Sequence, residues 1–280
     1  MSRTHATLLA FGLALAVAGC ASTAATDTTQ AAPKAGTALD AAIAGSWRDA
    51  ANVARDRYRH PRETLAFFGV QPGQTVIEIT PGAGWYTEIL APYLSANGHY
   101  IGAAPSAAAD SAGGKRNAAL RNRLASEPAF AGGSLVEVDA KAPVFGPANS
   151  ADAILTFRNV HNWVAAGTTD AYFQAFFKAL KPGGVLGVVD HRAKPGTDVE
   201  KMKSSGYLTE ALVIEHATRA GFVLEARSQV NANPKDDTDH PNGVWTLPPV
   251  NRHDAAEDAM YKAIGESDRM TLRFRKPARG

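Results

Sequence analysis

The sequence predicts an α/β fold, a doubly wound and mainly parallel sheet with helices on both faces. Short apolar runs alternate with segments of helical periodicity along most of the chain, which is typical of such sheets. The first unit consists of an apolar run at 76–79, a glycine turn at 81–84 and an amphipathic segment at 85–94. Gly82 and Gly84 allow a ligand close to the backbone, and free N–H groups follow at the helix start. This unit therefore predicts a ligand site at the strand's carboxyl end.

Residues 39–68 precede this unit and have helical spacing of apolar residues. His60-Pro61 should interrupt the helix, because proline disfavours helix at the residue before it. Pro61 then begins a second helix that Gly69 ends. Further strands are expected at 99–103, 134–139, 151–157, 185–189, 222–226 and 267–275. Further helices are expected at 107–125, at 170–180 with Asp170 as its cap and Lys181 to Gly184 as its end, and at 208–220.

Composition limits the function classes. The chain has 280 residues, 45% of them hydrophobic, and a formal net charge of +2. Residues from about 39 onward fit one domain. The charge is small and no basic stripe is interleaved with aromatic residues, so we expect no nucleic-acid partner. The aromatic residues at helical spacing should lie in the core; they are Tyr172, Phe173, Phe176 and Phe177.

The first residues predict export. Arg3 and His5 precede an apolar run from Leu8 to Ala18, which is shorter than the roughly 20 residues of a membrane span. Such a start is typical of a signal peptide. The sequence ending at Cys20 resembles the lipobox of bacterial lipoproteins, with an ordinary signal peptide as the alternative. We expect a signal at 1–20, a flexible Ala- and Thr-rich tether at 21–37 and the folded domain at 38–280.

Cys20 is the only cysteine, so the folded domain has no disulfide and no cysteine metal site. Ala21 and Ser22 follow it, and the absence of Asp there resembles the outer-membrane sorting pattern. We therefore expect a periplasmic protein anchored to the outer membrane by lipid. The sequence beyond the signal indicates no other membrane contact.

Four segments carry a resemblance to a known family. They are Arg57 to Gly69; Glu78 to Thr87; Leu180 to Gly184 with Asp190 to Arg192; and Asn233 to Asp237 with Ser267 to Pro277. With these the chain resembles the class I, Rossmann-like S-adenosylmethionine-dependent methyltransferases, in an exported branch. The resemblance implies a seven-stranded sheet with an antiparallel last strand, S-adenosylmethionine as cofactor and a small-molecule acceptor.

The resemblance also implies a cofactor site across the carboxyl ends of the first strands. Its residues would be Glu78, Thr80, Gly82, Gly84, Tyr86, Ala104 and Asp139. Glu78 would project into the crevice and meet the methionine end through water or hydrogen bonds. Gly82 and Gly84 would form the floor, and Asp139 would reach the adenine amino group.

Two positions depart from the family pattern. Thr80 stands where the first glycine is usual, and Ala104 stands where a carboxylate would accept both ribose hydroxyls. Two charged hydrogen bonds contribute roughly 1.5–3 kcal/mol each, so their loss could weaken binding about a hundredfold. Asp110 in the following loop is the available substitute.

Four residues are candidates for chemistry: Asn159 and His161 after the fourth strand, and Asp190 and His191 after the fifth. His161 would act as a general base near the methyl group. The alternative is a structural histidine that packs against Trp163 and hydrogen-bonds a backbone carbonyl. For Asp190 to Arg192 the alternative is an ion-pair cluster that fixes the adjoining loop.

Two polar clusters are open to more than one interpretation. Asp236, Asp237, Asp239 and His240 could bind a metal, but solvated charge in a Pro- and Asn-rich loop is the ordinary explanation, and we expect no metal. The run Arg57 to His60 could contact an anionic substrate or close the cofactor site. A solvated helix face would equally account for Arg57 and Arg59.

The leading hypothesis is a methyltransferase acting on a small acceptor. A nicotinamide enzyme is disfavoured because Thr87 stands where the dinucleotide motif needs its third glycine. The sequence also lacks the Gly-x-Ser-x-Gly and His-Glu-x-x-His motifs. Two alternatives remain: a non-catalytic binding module on the same fold, and a non-methylating enzyme that uses the same crevice.

Overall fold

The structure, a computed structural model, describes Met1 and residues 38–278. The predicted signal, the lipidation site at Cys20 and the tether lie outside the described residues. Within the described part of the chain, no helix has the length and apolar character needed to cross a bilayer.

The centre of the domain is a seven-stranded sheet. Its strands are β1 (Thr75–Ile79), β2 (His99–Pro105), β3 (Ser134–Val138), β4 (Ala151–Phe157), β5 (Leu180–His191), β6 (Val223–Ser228) and β7 (Arg269–Arg275). The order is β3-β2-β1-β4-β5-β7-β6. The first five strands are parallel, and β7 is antiparallel to both neighbours. The predicted fold class, including the antiparallel last strand, is confirmed.

The strand order reverses between β1 and β4, which both pair with parallel neighbours. Chain connections leave in opposite directions at such a point and open a crevice at the carboxyl edge. The loops after β1, β2, β3, β4 and β5 therefore all lie on that edge.

The helices cover the sheet. They are α1 (Ala38–Ile43), α2 (Ala50–Val53), α3 (Asp56–Arg59), α4 (Pro61–Phe68), α5 (Thr87–Leu94), α6 (Ala112–Ser126), α7 (Val160–Ala166), α8 (Thr169–Ala179), α9 (Val199–Ser205), α10 (Glu210–Arg219) and α11 (Asp258–Ile264). Pro61 begins α4, and Gly69 ends it in the left-handed conformation, as the sequence predicts.

Apolar clusters pack on the sheet. In one, Tyr172, Phe173 and Phe176 of α8 are buried beside Leu186, and Phe177 packs against it partly buried. This confirms that the aromatic stripe belongs to the core. In the other, α4 and α5 contribute Leu65, Phe68, Ile89 and Leu90.

Several local predictions are wrong. Asp170 is not the cap of α8, which begins after Thr168; its carboxylate instead accepts hydrogen bonds from His216 and Arg219. Lys181 to Gly184 lie within β5 rather than in a helix terminus. The stretch before β7 also contains α11, and α7 and α9 were not predicted. All three helices have seven residues, too few for a clear periodic pattern.

Candidate active site

The loop after β1 is built on left-handed backbone positions. Thr80, Gly82 and Gly84 have φ of 52°, 61° and 89°. A non-glycine residue pays roughly 1–2 kcal/mol in this conformation, and Thr80 is held there by its N–H, which donates to the Ala103 carbonyl at 2.7 Å. A Cβ added at Gly82 would meet no described atom within 4 Å. The loop therefore presents bare backbone at this position.

Gly84 serves a different purpose. A Cβ there would lie 3.2 Å from Leu120 of α6. The Cβ position of Gly84 thus faces α6, and the absence of a side chain allows the loop to pack closely against that helix. Of the two glycines predicted to form the floor, only Gly82 has its open side free of described atoms.

Glu78 lies behind the loop rather than in the crevice. It is 3% exposed, and its carboxylate accepts hydrogen bonds from Tyr100 Oη at 2.7 Å and Thr87 Oγ1 at 3.1 Å. Burial raises its pKa to about 7. The prediction that this carboxylate projects into the crevice is therefore wrong. The carboxyl group joins β1, β2 and the first turn of α5 instead.

Gly102 makes this arrangement possible. It lies opposite Glu78 in the β1–β2 register, and a Cβ there would lie 3.2 Å from Tyr100 Oη. A side chain at Gly102 would crowd the tyrosine that hydrogen-bonds Glu78. Neither Tyr100 nor Gly102 was predicted.

The other predicted cofactor residues are distributed along the same edge. Tyr86 is buried, and its ring stacks on Phe157 with 3.5 Å between centroids. Ala104 is buried in β2, and its methyl side chain cannot accept hydrogen bonds from the ribose hydroxyls. Asp139 is exposed directly after β3, where its Oδ1 accepts from the Lys141 N–H at 2.8 Å. Asp110 is exposed in the turn before α6.

A buried His–Asp pair occupies the ends of β4 and β5. His161 Nδ1 lies 2.9 Å from Asp190 Oδ1, and Asp190 is fully buried. The same carboxylate accepts from the backbone N–H groups of His161 at 3.2 Å and His191 at 2.8 Å. Three N–H groups are thus directed at this one carboxylate. The carboxylate selects the tautomer with the proton on Nδ1 and leaves Nε2 as an acceptor.

The alternative interpretation of His161, packing against Trp163 with a hydrogen bond to a backbone carbonyl, is wrong in both contacts. The neighbouring rings are those of His191 at 5.0 Å and Trp245 at 6.2 Å, while Trp163 stacks on Tyr172. The partner of His161 is a carboxylate and not a backbone carbonyl.

His191 and Asn159 surround this pair. His191 Nδ1 lies 2.5 Å from Ser267 Oγ, and burial, together with the positive field of Arg158, lowers its pKa well below the usual value. His191 is therefore neutral. Asn159 Nδ2 donates to the Ile79 carbonyl at 3.0 Å, which ties the end of β4 to the end of β1. Asn159 is thus a positioning residue.

Ligand-type atoms of His161, Asp190 and His191 lie within 4.8 Å of one another, a spacing that a metal ion could also use. The Nδ1 atom of His161 is already hydrogen-bonded to Asp190. This contact favours a proton relay over a metal centre.

Four arginines surround one carboxylate at the same edge. Glu266 is 3% exposed and contacts Arg55 Nε at 2.7 Å, Arg59 Nε at 3.2 Å and Arg269 Nη1 at 3.0 Å. The Nη1 atom of Arg158 lies farther away, at 3.9 Å. Although burial opposes it, the field of these cations lowers the pKa of Glu266 to about 2. We call these five residues the arginine cluster.

The cluster corrects one interpretation of the segment before α4. Arg57 is exposed beside Tyr58, as a solvated helix face requires. Arg59 is 6% exposed, so that interpretation is wrong for Arg59. Burial and the neighbouring cations lower the pKa of Arg59 to about 9.

Two other clusters are structural. Arg192 donates to both oxygens of Asp268 at 2.9 Å, which is the ion-pair role considered for it. Asp236 is buried and accepts from Tyr207 Oη at 2.8 Å and from the Asp268 N–H at 2.7 Å. The explanation of Asp236 as solvated loop charge is therefore wrong.

The residues that sequence reasoning missed come from distant segments. Glu266, Ser267 and Arg269 precede or begin β7, and Trp245 lies in a 3₁₀ turn at 243–246. In the sequence, only the family resemblance of the segment from Ser267 to Pro277 indicated that this region belongs to the site. No motif linked Glu266 to Arg55 or Arg59, which are more than 200 positions away.

No protein-family model and no curated protein matches the sequence. Solved structures do match the fold. They include the [4+2]-cyclase SpnF, at 17% identity and a TM-score of 0.58 over 85% of each chain. A putative sarcosine dimethylglycine methyltransferase from Galdieria sulphuraria matches at 16% identity and a TM-score of 0.55, over 80% of this chain and 86% of that one.

A SAM-dependent methyltransferase from Aquifex aeolicus matches at 14% identity and a TM-score of 0.54, over 80% of this chain and 93% of that one. Identities this low establish the fold alone. The chain therefore has the fold of the class I S-adenosylmethionine-dependent methyltransferases.

Proposed function

We propose that the protein is an S-adenosylmethionine-dependent methyltransferase acting on a small acceptor, exported and held to the outer membrane by lipid on Cys20. One juxtaposition carries the enzymatic proposal. The open-faced glycine loop after β1 and the buried His161–Asp190 pair lie on the same edge of a sheet with the methyltransferase strand order.

The residues of the crevice fit the cofactor in part. Bare backbone at Gly82 suits close approach of the ligand, and Asp139, which is exposed at the end of β3, would meet the adenine amino group. Glu78 would act through the loop or through water. The ribose hydroxyls have no acid at Ala104, so Asp110 is the proposed substitute. When bound, the cofactor supplies an electrophilic methyl group.

His161 is the proposed general base. Its Nε2 would take the proton from the attacking atom of the acceptor, while Asp190 stabilises the imidazolium through Nδ1. A base of this kind contributes roughly 10²–10⁴-fold, and alignment of the acceptor with the methyl group contributes the rest. His191, being neutral, adds no competing charge beside the imidazolium.

The buried His–Asp pair favours an enzyme over a non-catalytic binding module, because a binding module has no need of an oriented base. The likeness to the cyclase SpnF keeps a non-methylating reaction as the second candidate. Transfer of a labelled methyl group to an acceptor distinguishes these two functions.

Binding of the cofactor is the first experiment. Titration calorimetry of the protein with S-adenosylmethionine and S-adenosylhomocysteine should show micromolar binding that Gly82→Ala abolishes. Gly69→Ala is the matched control: Gly69 has φ of 72° and, like Gly82, no described atom within 4 Å of an added Cβ. Both variants carry similar backbone strain, but only Gly82 faces the crevice. No binding at millimolar ligand would refute the proposal.

Lipidation is tested separately. Labelled fatty acid should be incorporated into the wild-type protein and not into Cys20→Ser. Equal labelling of both would exclude the lipoprotein assignment.

A further inference from the structure

The arginine cluster carries more positive charge than its contacts neutralise. Arg55, Arg59, Arg158 and Arg269 share the single carboxylate of Glu266. Burial and mutual repulsion lower the pKa of Arg59 to about 9. Buried charges in proteins are normally paired, but among the described residues Glu266 is the one carboxylate within 4.0 Å of these four guanidinium groups. Asp190 acts on Arg158 from a greater distance.

Several guanidinium atoms of the cluster also lack hydrogen bonds. Arg59 Nη2, Arg55 Nη2 and Arg269 Nε are buried without a partner, and Arg59 and Arg269 are 6% and 3% exposed. Each such donor costs about 1–3 kcal/mol or more when it is charged. A hydrogen-bond acceptor placed among these N–H groups would remove that cost.

A small cavity lies against two of these side chains, those of Arg59 and Arg269. Its walls include Arg59, Arg158 and Arg269 together with Tyr86, Phe157 and Val189. It offers about 10 Å³ for the centre of a water-sized sphere, room for about one water molecule.

Arg158 connects this cavity to the surface. Its side chain is 28% exposed, and its guanidinium donates no hydrogen bond to any residue that the structure describes. It lies at the end of β4 with φ of 61°. His161, the proposed base, follows three residues later in the first turn of α7. An anion bound by Arg158 would therefore lie on the active edge of the sheet.

We propose that the arginine cluster binds the carboxylate of the methyl acceptor, with Arg158 as the residue that contacts it first. The acceptor is then a small carboxylic acid whose nucleophilic atom faces His161. This inference rests on the proposed function for the identity of the reaction. A carboxylate suits the site better than other anions because its two coplanar oxygens match a guanidinium fork. A phosphate also matches the fork, but it is bulkier than a carboxylate, so the small cavity favours the carboxylate.

The test uses the full chain and acetate as the probe, without cofactor. Binding is followed by calorimetry and by the thermal midpoint, against chloride and phosphate at equal ionic strength. We expect acetate to bind, and its dissociation constant to rise at least tenfold in Arg158→Gln. The control, Arg57→Gln, removes the same charge from an exposed side chain and should change binding less than twofold.

Circular dichroism will establish that each variant is folded. Arg158→Lys keeps the charge and loses the fork, so it should weaken acetate binding several-fold and provides the test if Arg158→Gln does not fold. Chloride or phosphate binding as well as acetate, or equal acetate binding in Arg158→Gln and wild type, would overturn the inference.

These results are independent of cofactor binding. Acetate binding that depends on Arg158, with no S-adenosylmethionine binding, would refute the methyltransferase and leave the anion site. Cofactor binding with no acetate site would refute the inference alone.

Discussion

The Asp190 carboxylate holds His161 through two contacts, one to Nδ1 of the ring at 2.9 Å and one to the backbone N–H at 3.2 Å. Asp190 thus fixes both the rotation of the imidazole and the start of the helix that carries it. Another His–Asp pair among the described residues, His216 with Asp170 at 2.7 Å, involves an exposed carboxylate. This pair has the same chemistry as His161–Asp190 and differs in burial and location.

This contrast supplies a control for catalysis. We expect His161→Asn or Asp190→Asn to lower kcat/KM for methyl transfer by roughly 10²–10⁴-fold, because the base or its tautomer is lost. Cofactor affinity should change less than twofold in calorimetry. His216→Asn should leave the rate unchanged. A rate in His161→Asn close to that of the wild type would exclude the base.

Glu78 predicts a dependence of stability on pH. Its pKa rises from 4.5 to about 7 on folding, so between these values the folded protein keeps a proton that the unfolded chain releases. The contribution of Glu78 to the free energy of unfolding therefore falls as pH rises through this window, by on the order of 3 kcal/mol. Above about pH 7 it should level off.

Urea unfolding of wild type and Glu78→Gln at several pH values measures this effect. The stability of the variant relative to wild type should increase from pH 5 to pH 7. Tyr100→Phe removes a hydrogen bond that lowers the pKa of Glu78, so it should shift the window to higher pH. A constant difference between wild type and Glu78→Gln would contradict the prediction.

The contribution of Glu266 to stability should change with pH in the direction opposite to that of Glu78, and the loss of its charge should lower stability strongly. Glu266→Gln leaves buried arginines without their shared anion, and the loss of one partner of a buried ion pair costs about 3–5 kcal/mol. The control is Glu200→Gln, since Glu200 is exposed and pairs with Lys203; it should cost less than about 1 kcal/mol. Urea denaturation measures both. A similar cost for the two variants would show that the cluster is not held together by Glu266.

The pH dependence of Glu266 follows from its pKa, which folding lowers from 4.5 to about 2. Its stabilising contribution is complete above the unfolded value and is lost as pH falls toward 2. The acid limb of the wild-type stability curve should therefore be absent, or much reduced, in Glu266→Gln. An unchanged acid limb would assign acid unfolding to other groups.

Local patterns predicted the strands and the glycine loop because these depend on neighbours in sequence. Thr75–Ile79 and Ala151–Phe157 are mainly apolar runs, and Pro61 and Gly69 mark the ends of α4 in the residues themselves. The short helices could not be found in this way, because they are stabilised by packing and not by periodicity.

Side-chain partners were harder to predict than elements. The sequence placed Asp190 and His161 on one edge, since both follow parallel strands, but their pairing depends on the register of β4 against β5. It placed Glu78 in the crevice, because nothing local showed that Tyr100 would reach it across Gly102. The arginine cluster depends on contacts between the two ends of the domain, and no local pattern reports these.

The reversed direction of β7 has a consequence for biogenesis. Because this strand runs against its neighbours, its first residue, Arg269, lies opposite His191, and Glu266 and Ser267 reach the edge from the far end of the chain. The active edge therefore stays incomplete until residue 269 has been synthesised, and a product truncated before residue 266 would lack the anion on which the arginines converge. The site thus forms only after the strands that carry the rest of it have left the ribosome.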